Sequence, residues 1–322
     1  MERKKIIVTA RSFGKTDHAA EDLLCKHGYE VVKLPYAGHT LEEDLPSGLA
    51  DAVGVIAGLE PYTAGMLENA PALKVISRYG VGYDKVDCAA AKKAGIRVTI
   101  TPGANGDSVA DLAMALMLSV ARNISFMDAS LKAGDSERPS GLEMCGKTVG
   151  IIGVGRIGKG VAKRCSGFGM KILLYDAYFQ DEEFANAAGA VYTDLDTIIK
   201  EADFITIHAD LNESTRHMFS GPEFAKMKNT AVIVNTARGG IIDEDALYEA
   251  LSKGEIYGAG LDVTVSEPAS DSPLCALPNC ILTPHAGAAT REASSKMSYM
   301  AAQNAIDVLE TGKCRYTVKE CM

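Results

Sequence analysis

The sequence predicts an α/β protein built from two doubly wound parallel sheets. Three observations carry that prediction. Apolar runs of strand length alternate with helical patterns along the whole chain. A glycine-rich turn, Gly153-Val-Gly155-Arg-Ile-Gly158, joins one of these runs to a helix. Three chemically distinctive residues, Arg238, Glu267 and His285, each follow a later apolar run. Such sheets place their ligand crevice at the carboxyl ends of the strands, so the three side chains are expected to meet there. A chain of 322 residues is long enough for two domains.

The elements follow in order. Residues 5–10, 30–34, 52–57, 73–77 and 96–100 read as strands. Helical patterns lie between them, as over 84–93, which closes at Gly95 in the manner of a helix C-terminus. This βαβ alternation implies parallel pairing. One long helix is expected over 108–132; it is apolar on nearly every side through Ala121, and is therefore expected to be buried between domains or subunits. A polar arm, 134–146, leads to a second series of strands at 148–152, 171–175, 204–208, 230–234, 257–261 and 280–282. The last helix, 292–310, places Met297, Met300, Ala301, Ala305, Val308 and Leu309 on one face, and Gly312 follows it. Residues 1–100 with 289–322 are expected to form one domain, and residues 101–288 the other.

Composition narrows the class. The 33 basic and 42 acidic residues give a net charge of −9, with no long basic run, which argues against nucleic acid or an anionic membrane as partner. The longest apolar stretch, 109–121, contains Asp111 and is too short to span a bilayer. The eight cysteines, at 25, 88, 145, 165, 275, 280, 314 and 321, show neither a Cys-x-x-Cys pair nor metal-ligand spacing. They read as free thiols of a cytoplasmic protein that holds no metal. The opening Met1-Glu-Arg-Lys-Lys5 runs straight into a strand, so no signal peptide is expected.

The glycine turn has the context that a dinucleotide-binding fingerprint requires, between a strand and a helix. Gly153 allows the tight turn, Gly155 lets backbone approach a pyrophosphate, and Gly158 lets helix pack on strand; the helix N-terminus offers N–H groups to the anion. The next strand ends in Asp176, 18 residues after Gly158. A carboxylate there accepts from the ribose hydroxyls and repels a 2′-phosphate. The following Ala177-Tyr-Phe-Gln180 has no Arg, so NAD is expected rather than NADP. The second domain is therefore expected to be a Rossmann dinucleotide-binding domain, inserted in a flavodoxin-like substrate domain.

Over nearly its whole length the chain resembles the D-2-hydroxyacid dehydrogenase family, of which D-3-phosphoglycerate dehydrogenase is the best-known member. The resemblance rests on Ser77-Arg-Tyr-Gly-Val-Gly-Tyr-Asp-Lys-Val-Asp87, Ser108-Val-Ala-Asp111, Gly146-Lys-Thr-Val-Gly-Ile-Ile-Gly153 with the turn that follows, and the blocks around Arg238, Glu267 and His285. It implies interconversion of a small 2-keto acid and its D-2-hydroxy acid by hydride transfer with NAD. It implies that Arg238 grips the substrate carboxylate, with a planar donor fork that stays charged. His285 would exchange a proton with the substrate oxygen, and Glu267 would hold the imidazole and stabilise its charged form. Val81 and Gly82 match the loop whose amides bind the carboxylate, with Arg78 and Tyr79 beside it. Arg156, Ile157 and Asp176 match cofactor contacts, and Asp262 the residue that meets the nicotinamide amide. Thr236, Ala237 and Gly287 would line the ring pocket, with His208 and Ala209 at its edge.

Other readings compete at several positions. Arg238 could serve a surface salt bridge. Asp243 suits a helix N-cap at 244–252 better than chemistry. His18, His27, His39 and His217 look peripheral. His208 suits a cofactor edge or a packing role equally, and Glu60 and Tyr62 face either the substrate or the core. The chain departs from the family at His208-Ala-Asp-Leu211, where His-x-Pro-Leu is common, so Asp210 adds a carboxylate near the cofactor. Asp111 replaces the usual Glu, and Ser136 stands where a Trp is common in the arm. No regulatory domain is expected after the last helix. A phosphoglycerate site needs several cations. Arg78 and Arg138 are the candidates, while Glu60 stands where phosphoglycerate dehydrogenases tend to carry Arg. An unphosphorylated substrate is therefore expected. 3-Phosphoglycerate dehydrogenase is the enzyme alternative. An NAD(H)-sensing binding protein like the C-terminal-binding-protein corepressors is the alternative from another class. The helix over 108–132 and the arm suggest a homodimer.

Overall fold

A computed structural model describes residues 3–35 and 38–322; Met1 and Glu2 of the opening segment, with Tyr36 and Ala37, lie outside the described residues. Two compact units result, Met1–Asn105 with Ala289–Met322, and Gly106–Ala288.

The first unit carries strands β1 (Lys4–Val8), β2 (Tyr29–Lys33), β3 (Ala52–Ala57), β4 (Val75–Arg78) and β5 (Arg97–Thr99). All pair in parallel in the order β2-β1-β3-β4-β5. This is the flavodoxin-like order, whose switch point falls between β1 and β3. Ile6, Ile7, Val55, Ile56, Val75 and Ile76 are fully or almost fully buried, as expected for a sheet covered on both faces. The helix Arg291–Thr311 is N-capped by Thr290, which accepts from the Ala293 amide, and ends at Gly312 in the left-handed region. Its Ala301, Ala302, Ala305 and Ile306 pack with Ile6, Val8 and Val75.

The second unit carries β6 (Thr148–Ile152), β7 (Lys171–Tyr175), β8 (Ala190–Tyr192), β9 (Phe204–Ile207), β10 (Val232–Asn235), β11 (Gly258–Leu261) and β12 (Cys280–Leu282). The order is β12-β11-β10-β9-β6-β7-β8, all parallel. That is the Rossmann arrangement extended by one strand, with its switch point between β6 and β9.

Four sequence expectations need correction. The long helix over 108–132 is two helices, Gly106–Ala121 and Ile124–Lys132, bent by 63°. Asn123 breaks it with φ 52°, and its amide donates to the Tyr257 hydroxyl at 3.0 Å; Asn tolerates this backbone better than most residues. The first of the two packs inside the second unit. A Cβ on Gly258 would lie 2.6 Å from Val120, and one on Gly260 2.9 Å from Leu116, so glycines in β11 allow the close approach. Burial of each large apolar side chain on that helix contributes about 1.5–3 kcal/mol. Strand β8 was not expected: it is three residues at the sheet edge with Val191 61% exposed, too short and too open to show an apolar run. The helix expected over 84–93 is confined to Cys88–Lys93, because Asp87 caps it by accepting from Ala90. Finally, Cys88 and Cys321 are joined as a disulfide, not free; 233 residues separate them in sequence, a distance at which spacing carries no signal. No single helix among the described residues is long and apolar enough to cross a membrane.

Candidate active site

The carboxyl ends of the second unit's strands present a continuous row of chain segments. The glycine turn follows β6 and Asp176 follows β7. His208-Ala209 follows β9, and Thr236-Ala237-Arg238 follows β10. Asp262 and Glu267 follow β11, and His285 follows β12. The register Asn235↔Leu261 and Leu261↔Leu282 brings the last three segments side by side.

The glycine turn fits a dinucleotide. Gly153 has φ 86°, and a Cβ there would lie 2.6 Å from the Ala209 nitrogen. A Cβ on Gly158 would lie 2.1 Å from the Gly153 carbonyl oxygen, so helix and strand touch backbone to backbone. Gly155 faces open space, and no side chain caps the helix Arg156–Gly167 that it starts. An anion therefore meets unmasked N–H groups there, beside exposed Arg156 and half-buried Ile157. Asp176 Oδ2 accepts from the Val154 amide at 2.8 Å, and Oδ1 from Tyr178 at 3.0 Å and Phe179 at 3.2 Å. Burial alone would raise its carboxyl, but these three bonds hold it below the usual carboxylate range. Asp176 is thus a fixed anion at the strand end, with lone pairs left to accept from a diol.

His208 is half-buried at the end of β9, with both ring nitrogens on hydroxyls. Its Nε2 meets the Thr206 hydroxyl at 2.9 Å and its Nδ1 the Thr236 hydroxyl at 3.2 Å. Burial pushes the imidazole down to about 3, so it stays neutral and ties β9 to β10. Asp210 is exposed.

Arg238 begins a short 3-10 turn. Asn235 pins the segment, donating to the Arg238 carbonyl at 2.8 Å and accepting from the Ala237 amide at 2.9 Å. The Arg238 guanidinium donates to the Ala237 carbonyl at 2.7 Å and is half-buried. A Cβ on Gly239 would sit 2.1 Å from the Thr264 carbonyl carbon, so Gly239 lets the segment leading to Glu267 cross directly over the one bearing Arg238. Glu244 fixes that same segment, accepting from the Val265 amide at 2.6 Å. Asp243 caps the helix Glu244–Lys253.

His285 Nδ1 lies 3.0 and 3.1 Å from the two oxygens of Glu267, with 29% and 26% of the two side chains exposed. A carboxylate on Nδ1 directs the Nδ1 proton to itself and leaves Nε2 for other chemistry. His285 has φ 51°, a left-handed conformation that costs on the order of 1 kcal/mol or more. Asp262 enforces it. Its backbone carbonyl accepts from His285 at 2.9 Å. Its Oδ1 accepts from the Thr283 hydroxyl at 2.6 Å and the Ala286 amide at 2.7 Å, and its Oδ2 from the Gly287 amide at 2.8 Å. Asp262 is 2% exposed, so its carboxylate works as the clamp of the His285 loop. Sequence reasoning did not find that role, nor those of Glu244 and Gly239. The only sign was an acid placed directly after an apolar strand.

The remaining expected residues lie in the first unit. Arg78 ends β4 and is 4% exposed; its Nε donates to the Gly82 carbonyl at 2.8 Å. The Tyr79 hydroxyl is turned onto the last helix, within 3.1 Å of the Ser294 carbonyl and hydroxyl. Gly80, with φ 139°, is held by Thr101, which accepts from its amide at 3.0 Å. The amides of Val81 and Gly82 donate to nothing among the described residues, and Val81 is 37% exposed. Arg138, in the second unit, lies in an exposed loop.

The chain is similar to known proteins in both sequence and fold. The family profile "D-isomer specific 2-hydroxyacid dehydrogenase, NAD binding domain" matches residues 114–287. D-3-phosphoglycerate dehydrogenase of Methanocaldococcus jannaschii is 45% identical over 297 residues, 91% of this chain and 56% of the relative. The chain thus spans little more than half the length of that relative. Hydroxypyruvate reductase of Thermotoga maritima is 47% identical over 248 residues, 76% of this chain and 80% of the relative. Among solved structures, the TT0316 protein from Thermus thermophilus superposes with a TM-score of 0.87 at 36% identity, covering 98% of this chain and 99% of that one.

Proposed function

The chain belongs to the D-isomer specific 2-hydroxyacid dehydrogenase family, and on that premise we propose that it reduces small, unphosphorylated 2-keto acids to D-2-hydroxy acids with NADH. The observation that carries the proposal is the His285–Glu267 pair, beside Arg238 and in line with a glycine turn open to a pyrophosphate. NADH, when bound, supplies the hydride. His285 delivers a proton from Nε2 to the substrate oxygen as charge develops on it, and Glu267 holds the imidazolium in place for that transfer. Arg238 binds the substrate carboxylate and polarises the keto group. The amides of Val81 and Gly82, which donate to nothing among the described residues, suit a substrate carboxylate as well. Asp176 selects NADH over NADPH by repelling a 2′-phosphate. Arg156, Ile157, Ala209, Thr236 and Ala237 contact the cofactor through their chain segments. Asp262, Gly287 and His208 hold the surrounding loops.

The quaternary and cellular parts of the reading are a homodimer in the cytoplasm. Ile124 at 50% and Leu131 at 70% exposure, with the open 131–140 segment, support a subunit contact there. Free thiols at exposed Cys25, Cys145 and Cys275 favour a reducing compartment, and the Cys88–Cys321 disulfide weighs against one. Light scattering with and without charge at 124 and 131 tests the dimer.

Steady-state reduction of glyoxylate, pyruvate, hydroxypyruvate and 3-phosphohydroxypyruvate with NADH tests the function. Unphosphorylated acids should have the higher kcat/KM, and Arg238→Ala should weaken all of them alike. A preference for 3-phosphohydroxypyruvate, lost in Arg78→Ala or Arg138→Ala, would establish a phosphoglycerate dehydrogenase instead. Tight NADH binding with no turnover would point to a sensor.

A further inference from the structure

The first unit holds a fixed carboxylate that none of these roles uses. Thr9 follows β1, and Gly58 and Glu60 follow β3, the two strands that flank the switch point of that sheet. Three donors converge on one Glu60 oxygen. Its Oε1 accepts from the Thr9 hydroxyl, from the Tyr62 hydroxyl, and from the Gly58 amide at 3.0 Å. The Thr9 hydroxyl is itself placed by the Ile56 carbonyl, to which it lies at 3.2 Å, and by the Gly58 amide, which donates to it at 2.9 Å. Tyr62 is fully buried. Its phenol is held far above its ordinary range by burial first and by the Glu60 charge second, so it remains a donor at any working pH. A Cβ on Gly58 would lie 2.7 Å from Glu60 Oε2, so glycine at that position leaves room for the carboxylate.

The result is an acceptor immobilised through one oxygen. Glu60 is half-buried, and its Oε2 makes no hydrogen bond among the described residues. A surface glutamate serving only solubility needs no such mooring. The carboxylate is also joined to the loop proposed to receive the substrate. Arg78 pairs with Ala57 in the sheet register and donates to the Gly82 carbonyl. The loop after β3 that carries Glu60 and the loop after β4 that carries Val81 and Gly82 therefore lie at neighbouring strand ends: an acceptor for a hydroxyl on one, donors for an anion on the other.

We propose that Glu60 is a specificity-determining residue whose Oε2 accepts a hydrogen bond from a hydroxyl on the carbon next to the substrate carbonyl. The substrate class is then 2-keto acids hydroxylated at carbon 3, of which hydroxypyruvate is the smallest. This rests on the reduction of 2-keto acids proposed above. The same carboxylate that accepts from a hydroxyl repels a phosphate ester at that carbon. A site built to bind a hydroxyl rejects the analogue that lacks it far more strongly than an apolar pocket rejects one extra group.

The experiment compares kcat/KM for hydroxypyruvate, pyruvate and 3-phosphohydroxypyruvate with NADH in the unmodified protein, Glu60→Ala and Glu60→Gln. Ratios between substrates within one preparation do not depend on the folded fraction. In the unmodified protein hydroxypyruvate should exceed pyruvate by about tenfold or more. Glu60→Ala should bring that ratio down by about tenfold. Glu60→Gln, which keeps an acceptor for the three donors but removes the charge, should raise 3-phosphohydroxypyruvate relative to hydroxypyruvate by about tenfold. Equal use of pyruvate and hydroxypyruvate by the unmodified protein, or ratios that move in neither variant, would overturn the assignment while leaving 2-keto acid reduction standing. No NADH oxidation with any of the three acids would overturn both.

Discussion

Both sheets are parallel throughout, and both present polar side chains at the carboxyl ends of their strands, yet they present them in different ways. In the seven-stranded sheet the polar groups come from successive strand ends, each within a short block of sequence: Asp176, Arg238, Glu267 and His285. They are held by neighbours only a few residues away or on the adjoining strand, as Asp262 holds His285. In the five-stranded sheet the distinctive group is Glu60, held by Thr9, 51 residues away, through a hydroxyl with no motif around it. The role proposed for the first edge is hydride and proton transfer. The role proposed for the second is discrimination among substrates. A change at the first should alter the rate for every substrate, and a change at the second should alter the order of substrates.

The largest test of that division is His285→Ala. Loss of a general acid–base group should cost roughly 10²–10⁴-fold in kcat. The loss should be nearly the same for every 2-keto acid, with NADH binding retained in a fluorescence titration. A loss confined to one acid would mean that His285 also selects substrate, and the comparison would fail. Glu267→Gln sharpens the same point. Glu267 orients the imidazole through Nδ1, so removing its charge should lower kcat by about tenfold for every 2-keto acid alike. An unchanged kcat would separate Glu267 from His285 functionally despite their 3.0 Å contact.

Asp176→Ala should produce a smaller effect, on the cofactor alone. NADH should be strongly preferred by the unmodified protein, and the variant should narrow the gap by about ten- to a hundredfold, the worth of one charged hydrogen-bonding partner. Equal kcat/KM for NADH and NADPH before mutation would refute the reading of Asp176.

How much of this could be read from residues alone follows the same division. The glycine turn, Asp176 and the blocks carrying Arg238, Glu267 and His285 are local patterns, and the strands before them are apolar runs, so spacing located them while the family resemblance supplied their expected roles. The break at Asn123 was not legible, because the apolar pattern runs on through Ala121 and one residue with φ 52° redirects the chain. Strand β8 was not legible because an edge strand of three residues has no buried face to enforce an apolar pattern. The pairing of Cys88 with Cys321 and the mooring of Glu60 by Thr9 depend on distant segments meeting. Glu60 itself stood out only as an acid where a cation was expected. Its orientation came from the fold.

The smallest expected effect concerns the support beneath the catalytic edge. His208 is half-buried and bonded to Thr206 and Thr236, with its imidazole pushed down to about 3. In the unfolded chain a histidine takes up its proton near pH 6.5. Between those values the unfolded state binds more protons than the folded one, so stability is full above about pH 6.5 and falls as pH is lowered toward 3. The slope from this residue is at most about 1.4 kcal/mol per pH unit, or about 2 kcal/mol between pH 6.5 and 5. Most carboxylates are still ionised at pH 5, so that window reports mainly on histidine. Urea midpoints at pH 7.5 and 5 should therefore draw apart in the unmodified protein and lie closer together in His208→Gln, whose amide can meet both threonine hydroxyls and does not titrate. The second edge offers no equivalent, since Tyr62 stays protonated across this range. If His208→Gln kept the full pH dependence, the histidine would not be the neutral tie between β9 and β10, and the catalytic edge would owe its rigidity to Asp262 and Asn235 alone.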